Sequence, residues 1–455
     1  MARKILVIGK SGRLHAITRA LVDSVSLPEV HVISDVYLTR IAPPERLICG
    51  KSDDRPFVEG CVRRIKPDLV VIGPEEPLAV GIADLVTAMG IPCVGPTQEL
   101  ARLETSKAFT RELLTNHKIP GNPEHRVFTT IHGMEEYLRE INEFVIKPDG
   151  LTGGKGVKVS GEHLHSIRDG LGYAAELFRT GQPAVIIEEK LDGEEFSFQS
   201  FFDGQHIAHT IPIQDHKRAR TGDKGLNTGG MGSYSCENHS LPFLKPEHII
   251  EAGEINRLVG EALLEETKQE YKGILYGGFM LTKDGLRVIE YNARFGDPEV
   301  MNVLPIMETD FLEVCDSIIA GTLNKLSVRF RPQATVCKYV VPAEYPEKMK
   351  TGGTIDVREL DKMEASESGL RVYYGAVEEK DGELHLTGSR AIACVGMGGS
   401  LDDAERIAES AASLVKGPVY HRSDIGTAPL IEKRKLHMNR IGSEQQTRPL
   451  IRAAG

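Results

Sequence analysis

The chain predicts a multi-domain α/β protein, and three observations carry that prediction. Its 455 residues exceed the roughly 250–300 that a single hydrophobic core holds. Across residues 1–100, short apolar runs alternate with helical patterns at the spacing of a parallel, Rossmann-like sheet. Further on, a glycine-rich loop stands between two short strand-like runs in Phe144-Val-Ile-Lys-Pro-Asp-Gly-Leu-Thr-Gly-Gly-Lys-Gly-Val.

Taken in order, strands are expected at 4–8, 29–33, 68–72 and 91–94, with helices beginning near His15 and spanning about 54–65 and 78–89. The first turn, Gly9-Lys-Ser-Gly-Arg-Leu, lacks the GxGxxG spacing, so NAD is not the expected ligand. Gly73-Pro-Glu-Glu-Pro follows the carboxyl end of a strand, where open parallel sheets bind ligands. Residues 105–117 read as an amphipathic helix carrying Lys107. The glycine hairpin and a helix near 165–179 make a small lobe of about 122–190 within a unit spanning 101–325. A third unit, 326–427, has strand-like runs at 334–341, 370–375 and 390–396 and a helix at 402–415. Residues 430–455 hold six Lys/Arg against two Asp/Glu and read as a loosely ordered basic tail.

Composition narrows the function. A hydrophobic content of 40% and 26% charged residues describe a soluble globular chain, and a net charge of −10 argues against nucleic acid as a partner. Seven scattered cysteines without CxxC pairs suggest reduced thiols rather than zinc or disulfides. No run of 18 apolar residues and no signal-peptide pattern occur, so a cytoplasmic protein without membrane attachment is expected.

Four constellations carry chemistry. Lys147 and Lys155 flank a loop containing Gly153, Gly154 and Gly156, in a strand–loop–strand setting that can close over phosphates. A Walker loop instead runs from Gly-Lys-Ser/Thr into a helix. In Val288-Ile-Glu-Tyr-Asn-Ala-Arg-Phe-Gly-Asp-Pro-Glu, strand alternation puts Glu290 and Asn292 on one face and Ile289 and Tyr291 on the other. A carboxylate and an amide oxygen side by side are hard donors of the kind Mg2+ takes while keeping water and phosphate oxygens. Gln214-Asp-His-Lys-Arg and Asn227-Thr-Gly-Gly-Met-Gly-Ser bring ionisable groups and main-chain donors together in loops. Ile186-Ile-Glu-Glu-Lys-Leu-Asp-Gly-Glu-Glu runs from an apolar strand into an acidic link whose carboxylates can accept from ribose hydroxyls. Read singly, each has a plainer meaning: a solvated hairpin, a half-buried polar strand face, a satisfied loop histidine at His216, a solvated acidic turn.

Together these residues resemble the ATP-grasp ligases, and more narrowly the phosphoribosylamine–glycine ligases (glycinamide ribonucleotide synthetases), in order from residue 4 to about 426. The resemblance implies a Rossmann-like amino-terminal domain, an ATP-grasp fold and a mixed α/β carboxy-terminal domain. It implies ATP-dependent joining of glycine to 5-phosphoribosylamine through glycyl phosphate, in de novo purine biosynthesis, with Mg2+ or Mn2+. Carried over, Lys107, Lys147 and Lys155 hold ATP phosphates, with 149–156 as lid. Glu188, Glu189 and Glu195 line the adenine and ribose pocket, and Glu290 and Asn292 hold the metal. Asp215, Lys217, Arg294 and Asp297 surround glycine and its acyl phosphate, and Asn227, Thr228, Gly229 and Gly230 form a binding loop beside them. A monomer or weak homodimer is the implied state. The amino-terminal loops depart from the family pattern: Leu14 stands where an acidic residue is usual, and Ile33-Ser-Asp-Val-Tyr-Leu-Thr replaces a Pro-Gly-Asn-Ala-Gly-Thr type loop. The amine acceptor is therefore open between phosphoribosylamine and another amine, as in a paralogous carboxylate–amine ligase.

Overall fold

A computed structural model of the chain describes residues 2–151, 153, 156–349 and 351–447. Gly154 and Lys155, two of the expected phosphate-binding residues, lie outside the described residues.

The amino-terminal strands form a five-stranded parallel sheet in the order Leu47–Cys49, Glu29–Ser34, Lys4–Gly9, Leu69–Ile72, Cys93–Val94. Leu47–Cys49 was not expected from the sequence, because an edge strand this short shows no periodicity. The helix expected at 78–89 is two pieces, Glu75–Ala79 and Ile82–Ala88, divided at Gly81 with φ 74°. The first piece starts at Glu75, with Gly73 and an extended Pro74 between it and the carboxyl end of Leu69–Ile72.

The 105–117 helix also divides. Ser106 takes extended backbone between Arg102–Thr105 and Lys107–Asn116, and its hydroxyl accepts from the Phe109 amide. This N-cap places Lys107 at the first helical position, facing the small lobe.

The small lobe is a four-stranded sheet ordered His125–Phe128, Val185–Glu189, Phe144–Pro148, Lys158–Val159, with Ile167–Arg179 and Met134–Ile141 covering one face. Phe144–Pro148 and Lys158–Val159 pair antiparallel, as the glycine-loop hairpin requires. Beside it a larger sheet begins with Gly285–Asn292, Lys272–Thr282, Gly193–Asp203, Ile207–Asp215 and Gly232–Ser235. It continues without a break into Ala334–Pro342, Ile392–Gly398 and Leu370–Tyr374. The third unit is thus joined to the second edge to edge, strand by strand.

The carboxy terminus differs from the sequence expectation. Ala428–Thr447 is a helix, not a loose tail, and Leu430 and Ile441 are buried. Leu430, Arg434, His437 and Ile441 recur at spacings of four, three and four and so share one helix face. Only two of those four are apolar, which is why periodicity did not reveal the helix. Among the described residues, no helix is long and apolar enough to cross a membrane.

Candidate active site

A cleft of about 700 Å³ opens between the small lobe, the large sheet and the amino-terminal sheet. Its floor is Gly285–Asn292. A bulge opposite Gly278 and Phe279 interrupts the expected alternation, so Ile289 and Glu290 both face the cleft while Tyr291 turns into the core and donates to Asn256. The expectation that Ile289 points away is corrected by that bulge, since one extra residue reverses the facing of the residues beyond it.

Lys107, Lys147, Glu290 and Asn292 line the same cleft. Burial pushes the Glu290 carboxyl upward, but Lys217, Lys147, Lys107 and Arg294 outweigh it and hold the group below its ordinary value, hence ionised. Burial pushes the Lys107 ammonium down, with Glu290 opposing. Lys107 donates to the Gly150 carbonyl at 2.6 Å, tying the helix start to the lid loop.

Glu188 lines the cleft with its carboxylate already engaged. Its two oxygens receive the Arg111 guanidinium side-on at 2.7 and 2.9 Å, and Lys147 Nζ lies 2.6 Å away. With both oxygens occupied and 3% exposure, Glu188 holds Lys147 in place rather than offering a free carboxylate to a ribose. Arg111 was not singled out in the sequence, although it follows Lys107 by four residues and so shares its helix face. Glu188 has its burial penalty overcome by Arg111 and Lys147, which hold it at about 2 against an ordinary 4.5. A depressed carboxylate stabilises the fold fully above its unfolded value, and that contribution is lost as pH falls through the folded value. Glu188→Gln is therefore expected to flatten the decline in stability between pH 4.5 and about 2, read as the urea midpoint at each pH.

Glu189 and Glu195 both line the cleft. Glu189 accepts from the Glu124 amide at 2.9 Å, and Glu195 pairs with Lys217 at 3.3 Å. The Glu195 carboxylate lifts Lys217 above its ordinary range against burial.

Deeper in, Asp215 accepts from the His216 amide at 2.7 Å. Burial and then Glu299 raise its carboxyl well above the usual range, with Lys217 and Arg390 opposing. Glu299, not among the expected residues, also faces the cleft and accepts from the Tyr276 hydroxyl at 2.8 Å. Two close acidic groups away from water favour a cation between them.

Arg294 and Asp297 are present but more committed than expected. Arg294 reaches Glu75 at 2.9 Å, Glu104 at 2.6 Å and the Asn292 side-chain oxygen at 3.3 Å. Arg13 adds a second cation on Glu75 at 3.1 Å. Asp297 accepts from Ser11 at 2.5 Å and Tyr339 at 2.6 Å, with Arg390 at 3.4 Å. It therefore lines the cleft while tying Ser11 near the amino terminus to the carboxy-terminal strands. Burial pushes its carboxyl up, but Arg390 and Arg13 hold it below the ordinary range.

Asn227, Thr228 and Gly229 line the cleft, while Gly230 sits behind it. Arg390 donates to the carbonyls of Gly229 at 2.7 Å, Gly230 at 3.2 Å and Asp297 at 2.6 Å, stapling this loop to the opposite wall. Nothing in the sequence pointed to Arg390, which comes from a distant strand end. Gly230 has φ 117°, and a Cβ there would stand 2.6 Å from both Asp215 Oδ1 and Pro298 Cδ. Gly230→Ala is expected to lower turnover by about tenfold or more and to depress Tm by several degrees, measured by initial rate and thermal melting. On the lid, Gly153 lines the cleft, whereas Gly156 is turned aside, its carbonyl accepting from Tyr173 at 2.7 Å.

A glycine-hairpin lobe standing over a large sheet, with lysines on the lobe and an acid–amide pair on the sheet, defines an ATP-grasp protein. Family models agree in order along the chain: the N domain of phosphoribosylglycinamide synthetase matches residues 3–104, its ATP-grasp (A) domain 105–300, and its C domain 335–428. The chain belongs to the phosphoribosylamine–glycine ligase family. The relative from Methanocaldococcus jannaschii is 46% identical over 447 residues, covering 96% of this chain and 99% of that one. The Methanobrevibacter smithii relative is 44% identical over 452 residues, with 96% and 99% covered. Among solved structures, phosphoribosylamine–glycine ligase from Thermotoga maritima superposes with a TM-score of 0.76 at 26% identity, over 92% of this chain and 99% of that one. The biotin carboxylase domain of 2-oxoglutarate carboxylase from Hydrogenobacter thermophilus, 15% identical with a TM-score of 0.70 over 98% of each chain, shares the fold alone.

Proposed function

We propose that this protein joins glycine to 5-phosphoribosylamine at the expense of ATP, giving glycinamide ribonucleotide, ADP and phosphate, as a step of de novo purine biosynthesis. One observation carries the reading. In a chain of this family, one cleft brings together Lys107 and Lys147, the Glu290/Asn292 pair and the Asp215/Glu299 pair.

The reaction proceeds in two steps. A carboxylate oxygen of glycine attacks the γ-phosphorus, the bond to the β-phosphate oxygen breaks, and ADP departs. The amine nitrogen of the acceptor then attacks the carbonyl carbon of glycyl phosphate, losing a proton, and phosphate leaves with the glycine oxygen. Lys107 and Lys147 hold the phosphates and offset the repulsion between two anions. The Arg111–Glu188 pair keeps the Lys147 ammonium pointed at them. Asp215 and Glu299 receive the ammonium of glycine, whose charge relieves the burial that raises the Asp215 carboxyl. The lid read from the sequence at 149–156 is assigned the exclusion of water from the acyl phosphate.

Glu290 and Asn292 fit a divalent cation. The Glu290 carboxylate accepts no hydrogen bond among the described residues, and no group of three or more acidic, His or Cys ligands forms there. Two protein donors suit a cation that shares its shell with phosphate oxygens. Bound there, Mg2+ or Mn2+ supplies positive charge to the transferring phosphoryl group. The Leu14 departure leaves the cleft untouched, since Leu14 is fully buried in the core.

Glycine labelled with 18O in its carboxylate tests this route. One label per turnover in the released phosphate is expected. Phosphate without label would contradict acyl phosphate formation.

A further inference from the structure

The helix Ala428–Thr447 begins where the matched C domain ends, at residue 428. It nevertheless reaches the cleft. Arg434 lines it, with a side chain only 17% exposed. Its Nη2 donates to Asp223 at 2.8 Å, and its Nε lies 3.4 Å from Glu194 without completing a hydrogen bond. Its Nη1 makes no hydrogen bond among the described residues. Leu430 and Ile441 anchor the helix on either side, and His437 adds contacts to Glu194 at 2.6 Å and Asp192 at 3.0 Å. Holding a guanidinium beside two acids with one edge unused is a poor use of a buried cation unless something else takes that edge.

A second, independent observation lies at the same place. His216 is 2% exposed and lines the cleft, yet neither ring nitrogen has a hydrogen-bond partner among the described residues. Burial, with Arg434 and Arg422 adding, drives its pKa down to about 3, so the ring is neutral. A neutral imidazole offers one donor and one acceptor, and burial without partners costs it both. Glu194 stands between the 189–193 link and Glu195, the stretch whose carboxylates the resemblance gives to adenine and ribose, and Glu189, Glu194 and Glu195 all line the cleft.

We propose that the carboxy-terminal helix is a wall of the nucleotide site, with Arg434 and His216 making polar contacts to the base and ribose of ATP. The inference deepens the ligase reading and rests on its nucleotide site. A guanidinium edge donates to ring nitrogens or ribose oxygens, and His216 serves either polarity. Glu194 and Asp223 are the struts that hold Arg434 in plane.

The test is equilibrium binding to the full chain by calorimetry, with ADP and tripolyphosphate as separate probes, which needs no knowledge of the amine acceptor. Arg434→Met is expected to weaken ADP by about tenfold, the loss of a hydrogen bond from a charged donor, and to leave tripolyphosphate within about twofold. Arg434→Lys, which keeps both acid contacts but not the planar fork, is expected to recover part of the loss, and it carries the test if Arg434→Met does not fold. Unchanged ADP affinity in both variants overturns the inference. Equal weakening of both probes overturns it too, by showing general loosening or a phosphate contact. Failure of the unaltered chain to bind ADP would instead sink the ligase reading on which it rests.

Discussion

Glu290→Gln is expected to lower kcat by about three orders of magnitude, roughly 4 kcal/mol of transition-state stabilisation, with the fold retained. The substitution keeps shape and removes charge. Glu290 faces the cleft, accepts no hydrogen bond among the described residues and is kept ionised by Lys217, Lys147, Lys107 and Arg294. It is thus positioned for a ligand, and no local partner is orphaned by the change. Glu290→Ala should behave alike in turnover. Steady-state rates alongside thermal melting check this: normal turnover in either folded variant would remove Glu290 from the site.

Arg111→Met is expected to be the most damaging single change to stability, at about 3–5 kcal/mol. Arg111 is 2% exposed and meets Glu188 side-on while also donating to the carbonyls of Val288 and Ile289 at 3.0 and 2.9 Å. Removing it strands a buried carboxylate with Lys147 alone and takes the Arg111 donor from two carbonyls under the cleft floor, of which that of Ile289 keeps Lys147 at 3.2 Å. Lys147 is then the only cation left on Glu188 and its charge is committed there, so KM for ATP should rise as well. Urea unfolding and ATP saturation curves measure the two effects; a midpoint near that of the unaltered chain would refute the role given to this pair.

Much of the site was legible because its chemistry is concentrated in contiguous motifs. The Lys147 hairpin, Glu290/Asn292 and the 214–231 stretch each announce themselves by local composition, and the structure brings them to one cleft. Four of the five strands of the amino-terminal parallel sheet were readable, since Leu69–Ile72 is wholly apolar and Lys4–Gly9 nearly so, with helical patterns between them. What escaped was long-range. Arg390 reaches the Gly229 loop across 161 positions, and Arg294 meets Glu75 across 219; no local pattern encodes such pairings. The bulge at Ile289 escaped because alternation assumes an uninterrupted ladder. The pairing of Glu188 escaped for a subtler reason: its partner Arg111 sits 77 positions earlier, on the helix that carries Lys107. The terminal helix was missed because salt bridges, not apolar contacts, supply half of its buried stripe.

The most direct measurement is ADP release with Mg-ATP and glycine, with and without phosphoribosylamine generated in the assay, and with mass detection of glycinamide ribonucleotide. The account predicts glycine-dependent ADP release that yields glycinamide ribonucleotide when phosphoribosylamine is present. Glycine-dependent ADP release with no such product would contradict the proposed acceptor, and ADP release indifferent to glycine would contradict the ligase reading itself.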